Sequence, residues 1–221
     1  MKSTFTKIAL SSALIFSSSL MALEIDVKIT NLTKGISFTP LLVSAHNANA
    51  ALFMAGSVAS SNLKAMAEGG DISGLVTDLN ASGATSVQNP ASGLLSAGSS
   101  TTTSLSTASG NDYLSIVAMM LPTNDGFLAM NSVKIPTTVG TYKYELNAYD
   151  AGTEANDELA GNIPALATGS GGTGVSTTSE GFVHIHRGNV GDFDASAGLS
   201  DLNAATDRFL NPVASVVITV K

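Results

Sequence analysis

Hydrophobic and polar positions alternate cleanly at the start of the patterned chain. Ile25, Val27 and Ile29 interleave with Asp26, Lys28 and Thr30, which predicts a half-buried strand over 24–32. After Gly35, the stretch 40–46 reads as a second extended segment. The period then changes. Leu63, Met66 and Ala67 fall on one face of a helix that Ser60 or Ser61 can cap and that Gly69 and Gly70 stop. Leu75, Val76 and Leu79 give a second short helix over 71–79. Residues 113–121 form a nearly continuous apolar run ended by Pro122, which suits a strand covered on both faces. Further strands are predicted at 127–133, at 143–147 from the alternation of Tyr142, Tyr144 and Leu146, at 181–187, and at 212–220.

Between these elements the chain is sparse in apolar residues. Residues 80–110 are mostly Ser, Thr, Gly and Ala, and predict a loop with one edge strand around 99–105. Residues 162–180 read as a long Gly/Ser/Thr-rich connection, and 189–207 is polar and holds Asp192, Asp194 and Asp201. About eight strands, with short helices confined to 60–80 and no strand–helix alternation, predict an all-β antiparallel sandwich.

The first 22 residues change the picture of where the chain works. Lys2 and Lys7 precede a short apolar stretch, Ala22 offers a cleavage point, and polarity rises at Glu24. This predicts a signal peptide over 1–22, a single domain over 23–221, and a periplasmic or secreted location. The apolar core is too short to cross a bilayer, no later run is long enough, and there is no cysteine to acylate. Cleavage leaves eight basic against seventeen acidic residues, a formal charge of −9. Such a chain is a poor partner for nucleic acid or anionic membrane. With no Cys, disulfides, thiolate catalysis and Cys-type zinc sites are also absent.

The densest polar chemistry lies at 147–158, where Asn147, Asp150, Glu154, Asn156, Asp157 and Glu158 crowd into what reads as a turn after the 143–147 strand. Oxygens packed this closely suit a hard cation such as Ca²⁺. They also suit an ordinary solvated turn, since Asp, Asn and Gly are turn formers.

The order of several stretches resembles the spondin N-terminal domain of F-spondin and mindin and of bacterial secreted relatives. They are LVSAH at 42–46, ASSNLKAMAEGGD at 59–71, LSIVAMMLPTNDGF at 114–127, LNAYDAGTE at 146–154 and NPVASVVI at 211–218. The resemblance covers most of 24–221. It implies a C2-like β-sandwich with Ca²⁺ held by loops at one end, and a non-catalytic role in adhesion or extracellular interaction. The partner would be an extracellular or periplasmic protein or glycan. This chain departs from the animal members in lacking their cysteines and the thrombospondin repeats that follow. On this resemblance, Asp125, Asp150 and Glu154 are the expected calcium ligands, with Asn124 a lesser one. The plainer reading of Asp150 is an Asx turn that bonds backbone N–H groups.

The three histidines make a competing case. His184 and His186 are spaced to share one face of a strand. With His46 they could form a three-imidazole site for Cu²⁺ or Zn²⁺. The alternative is a pair of strand histidines with His46 hydrogen-bonded inside. Catalytic signatures are missing: there is no Gly-x-Ser-x-Gly, His-Glu-x-x-His or P-loop. With 5% aromatics and no Trp, a sugar-cleaving cleft is also unsupported. The expectation is a protein that is not an enzyme.

Overall fold

The computed structural model describes residues 22–164, 166, 174–194 and 198–221. The expected signal peptide, apart from Ala22, lies outside the described residues. Ten strands and two helices follow in the order β1 (Glu24–Asn31), β2 (Ser37–Phe38), β3 (Leu42–His46), α1 (Ser61–Gly69), α2 (Ser73–Ala81), β4 (Thr85–Gln88), β5 (Ser100–Ser106), β6 (Tyr113–Leu121), β7 (Gly126–Lys134), β8 (Gly140–Asp150), β9 (His184–Ile185) and β10 (Ala214–Val220). The all-β antiparallel expectation therefore holds, with ten strands instead of about eight. The two additions, β2 and β4, are short. β4 carries one apolar residue, Val87, so no alternation marks it. Among the described residues, no helix is long and apolar enough to cross a membrane.

All strand pairs are antiparallel, in the order β4-β3-β6-β7-β8-β10-β1-β5. The long β8 joins two halves. Its first part pairs with β10, from Gly140 opposite Val220 to Leu146 opposite Ala214. Its last part, Asn147 to Asp150, pairs with β7. The two ends of the order, β4 and β5, come into contact, so the sheet nearly closes on itself.

The apolar run of β6 is explained by two cores. Leu114, Ile116, Ala118 and Met120 point between the halves, against Ile25, Val27 and Ile29 of β1 and Val216 and Ile218 of β10. Val117 and Met119 point the other way, onto Leu63 and Met66 of α1 and Leu75 and Leu79 of α2. With both faces covered, no polar position is tolerated except Ser115, which His46 engages. The Ser60 hydroxyl accepts from the Leu63 N–H at 3.1 Å and caps α1, and the Gly70 N–H closes it on the Met66 carbonyl at 2.9 Å.

Two expectations need correction. Residues 147–150 are the end of β8 and not a turn, because β7 supplies ladder partners as far as Gly126 opposite Asp150. The strand expected at 181–187 is only the two residues of β9, paired to Tyr149 and Asp150.

Candidate functional site

The sheet register builds the site. Asp150 ends β8 with Gly126 on one side and His184 on the other. The turn before β7, which carries Asn124 and Asp125, therefore lies against the chain leaving β8. The Ala151 N–H donates to the Asp125 carbonyl at 3.2 Å. Gly152 then turns with φ +67°, and any Cβ there would overlap the backbone of Phe182. The close approach needs glycine on both counts.

Asp125, Asp150 and Glu154 are 0%, 1% and 2% exposed. Asp125 lies against the Glu154 backbone and within the field of Asp150. Among the described residues, however, the side-chain ligand atoms that converge within 4.8 Å are those of Asp150, Glu180 and His184, not those of Asp125, Asp150 and Glu154. Asp125 Oδ2 accepts from the Thr153 N–H at 2.7 Å, the Thr153 hydroxyl at 3.1 Å and the Glu154 N–H at 3.1 Å. Its Oδ1 is buried without a partner. Glu154 Oε1 accepts from the Gly174 N–H at 2.6 Å, while Oε2 is likewise buried and unpartnered. Asp150 accepts from the Gly152 N–H at 2.7 Å and from Asn156 Nδ2 at 2.6 Å. The Asx turn is thus present. Asn124 is different: it donates to Asp157 Oδ1 at 3.0 Å and accepts from the Glu158 N–H at 3.3 Å. Both ends of its amide clamp the two turns together.

Burial, and then the charge of Asp150, push the Asp125 carboxyl up to about 6 against the opposing pull of the Thr153 and Glu154 donors. Burial pushes Glu154 up to about 7, helped by the charges of Glu68 and Asp125. Glu68 reaches the cluster from the end of α1, where it pairs with Lys64 at 3.1 Å. A site that raises two carboxyl groups in this way is short of positive charge.

The histidines separate. His46 is wholly buried. Its Nδ1–H donates to the Asn47 carbonyl at 2.8 Å, and its Nε2 accepts from the Ser115 hydroxyl at 2.7 Å. It pairs with Tyr113 on β6, whereas β9 lines up across the sheet with Met119, six residues further on. That offset is roughly 20 Å along the strands alone, so the three-imidazole site is not assembled. His186 is 6% exposed, and its Nδ1 accepts from the Gly188 N–H at 2.9 Å. Burial holds its pKa down to about 4, so the ring is neutral at neutral pH.

His184 joins the acidic site instead. Its Nδ1–H donates to the Ile185 carbonyl at 3.0 Å, so the neutral ring presents a bare Nε2 lone pair. That nitrogen lies 3.6 Å from Asp150 Oδ1 and 3.9 Å from Glu180 Oε1. One ligand atom from each of Asp150, Glu180 and His184 lies within 4.8 Å of the others. A lone pair facing two carboxylates offers three donor atoms to a cation.

Sequence reasoning missed Glu180, which sits in the Gly/Ser/Thr-rich connection with no signal beyond its charge. Asn156, Asp157 and Glu158 lay inside the acidic stretch but had no assigned roles. Asn156 bridges Asp150 to Glu180, and the Glu158 carboxylate accepts from the Val190 and Gly191 N–H groups.

The family model for the spondin N-terminal domain, Spondin_N, matches residues 30–164. The match contains Asn124, Asp125, Asp150 and Glu154. It ends before Glu180, His184 and the 211–218 stretch. No curated protein matches the chain.

Proposed function

Because the chain belongs to the spondin N-terminal family, we propose that it is an exported, non-catalytic module that takes up Ca²⁺ at its acidic turn. The ion would hold the loops around that turn in one geometry for adhesion or interaction with an extracellular or periplasmic partner. Asp125, Asp150 and Glu154 would be its ligands.

One observation carries this reading: Asp125 Oδ1 and Glu154 Oε2 are buried carboxylate oxygens with no hydrogen-bond partner. A buried unpaired acceptor is costly, and a buried unpaired charge more so. A calcium ion that drew these oxygens to it would remove both costs, since it takes six to eight oxygens from flexible positions. Asn124 would act beside the ion, holding the two turns in place.

The test is thermal melting across a calcium titration. At a hundredfold excess over Kd the ion should add about 2.7 kcal/mol, which raises the midpoint by roughly 5–10 °C for a chain of this size. Mg²⁺ should do less, because its strict octahedral demand fits such a site poorly. Asp125→Asn is the informative variant. Its remaining oxygen can still accept from Thr153 and Glu154, and an amide nitrogen replaces the orphaned acceptor. The metal-free variant should melt no lower than wild type and should not respond to calcium. Equal responses in the two proteins would refute the reading.

A second reading rests on the bare Nε2 of His184 beside Asp150 and Glu180: a Zn²⁺ or Cu²⁺ ion bound by these three residues in place of the three-histidine site. His184→Ala should then weaken Zn²⁺ binding by about tenfold or more, one coordinating ligand being worth at least 1.4 kcal/mol. The calcium response should stay intact. Unchanged Zn²⁺ affinity in the variant, read by calorimetry, would remove this second reading.

A further inference from the structure

We propose that Arg187 and Arg208 form a second binding site, one that takes the oxyanion of an acidic polysaccharide, with the sugar hydroxyls on the polar groups beside them. The two arginines lie beyond the span matched by the family model, and one of their cavities borders the acidic site at Asp150.

Arg187 and Arg208 are the only two arginines in the chain. They lie far apart in sequence, yet both line the same two adjoining cavities. One is about 310 Å³ and is shared with Asp150, Asn156, Glu158 and His186. The other is about 390 Å³ and is floored by Phe209 and Leu210.

The two arginine-bearing segments are stapled together. Asn189 Nδ2 donates to the Asp207 carbonyl at 3.0 Å and to the Pro122 carbonyl at 2.9 Å. The His186 and Phe209 rings sit 5.1 Å apart. Gly188, at φ +86°, passes so close to the Phe209 carbonyl that a Cβ would overlap it. The fold therefore sets the two backbone positions from which the arginine side chains extend.

Neither arginine is paired with a carboxylate among the described residues. Among the described residues, the ion pairs involve Lys64, His184 and Lys221, never an arginine. The carboxylates close by are occupied elsewhere. Glu158 holds the Val190 and Gly191 N–H groups, Asp150 holds Gly152 and Asn156, and Asp207 Oδ2 accepts from the Asn203 N–H. Among the described residues neither guanidinium has a carboxylate partner, in a chain of net charge −7.

The planar fork of arginine matches a carboxylate or sulfate through two parallel hydrogen bonds, which lysine cannot reproduce. Asn156 and Asn189 line the first cavity, and their amide oxygens can accept from hydroxyl groups next to the anion. An acidic sugar carries both features; a bare acidic peptide carries only one. The overall negative charge works against diffuse attraction of polyanions, so any binding must be local.

The experiment is calorimetric titration of the purified protein in EDTA, at low and moderate salt. The probes are an oligogalacturonate (carboxylates only), a sulfated dextran oligomer (sulfates only), neutral dextran and an oligoglutamate peptide. Binding of either acidic sugar is expected, and which one binds identifies the anion. Arg187→Gln and Arg208→Gln should each weaken it on the order of tenfold, the value of one charge-assisted hydrogen-bonded contact. Arg→Lys at either position should recover only part of the loss. Lys28→Gln, which removes an exposed cation on β1 away from both cavities, should bind as wild type does and shows that the losses are local to the arginines. Unchanged affinity in the double Gln variant with an unchanged melting point would overturn the proposal. So would equal binding of neutral dextran, tighter binding of oligoglutamate, or no binding of either acidic sugar.

Discussion

Phe127→Ala is expected to lower the stability of the fold by about 3–5 kcal/mol, the range for deleting a buried aromatic ring. Phe127 is wholly buried in the core between β7 and the helices. Its ring meets Phe53 edge-on, with centroids 5.2 Å apart, and lies nearly parallel to Tyr149 at 5.8 Å. Phe53 and Tyr149 are themselves 4.9 Å apart. Each such pair contributes about 0.5–1.5 kcal/mol beyond the area it buries. The cavity left by alanine cannot easily collapse, because β7 is held by β6 on one side and β8 on the other. Urea unfolding should show a lower midpoint at unchanged slope, and Phe127→Leu should recover most of the loss. A cost below about 1 kcal/mol would mean that the helices do not pack on this face of the sheet as described. Since Asp125 lies two residues away, the alanine variant should also respond less to calcium.

Stability of the metal-free protein should fall as pH rises from about 4.5 to 7, opposite to the usual carboxylate behaviour. Asp125 and Glu154 have folded-state pKa values near 6 and 7, above their ordinary 3.8 and 4.5. In this window the folded chain keeps protons that the unfolded chain has released. The stabilisation is full when both groups are protonated and is lost as pH climbs through their folded values. His186 works the other way: held near 4 by burial, it opposes the trend between about 4 and 6.5, where only the unfolded chain protonates it. Two carboxyl slopes against one imidazole slope leave a net fall, on the order of 1–2 kcal/mol across the window. Asp26, Asp71 and Asp192 are held below the ordinary range by their hydrogen-bond donors and act only in more acid solution. Melting in EDTA at stepped pH measures the fall, and Asp125→Asn should flatten it. With calcium present the fall should be reduced, because the ion supplies the positive charge that the protons supplied. A metal-free melting point that rises steadily from pH 5 to 7.5 would refute this account.

What the sequence determined by itself is what short-range physics controls. Alternation placed β1, β10 and the first half of β8, because a half-buried strand must face its apolar residues one way. The unbroken run at 113–121 announced a strand covered on both sides, and the two cores on either face of β6 are the reason. Ser60 and Gly70 marked the ends of α1 through the orphan backbone groups that any helix leaves. The acidic stretch was visible as a density of oxygens, and the expectation that Asp125 acts with Asp150 and Glu154 came from the family resemblance.

The tertiary structure decided what depends on partners distant in the chain. β4 has too little apolar surface to announce itself and exists because β3 offers it a ladder. β8 runs on to Asp150 because β7 and β9 supply hydrogen bonds there. That register pulls His184 and Glu180 to Asp150 and leaves His46 at the other end of the sheet. It is also the packing of Asn189 and Phe209 that sets Arg187 beside Arg208. Periodicity reports which face of an element is buried, but it carries no information about which remote segment closes against that face. Loop closure costs little more as the loop lengthens, so many pairings remain open until the whole core chooses one.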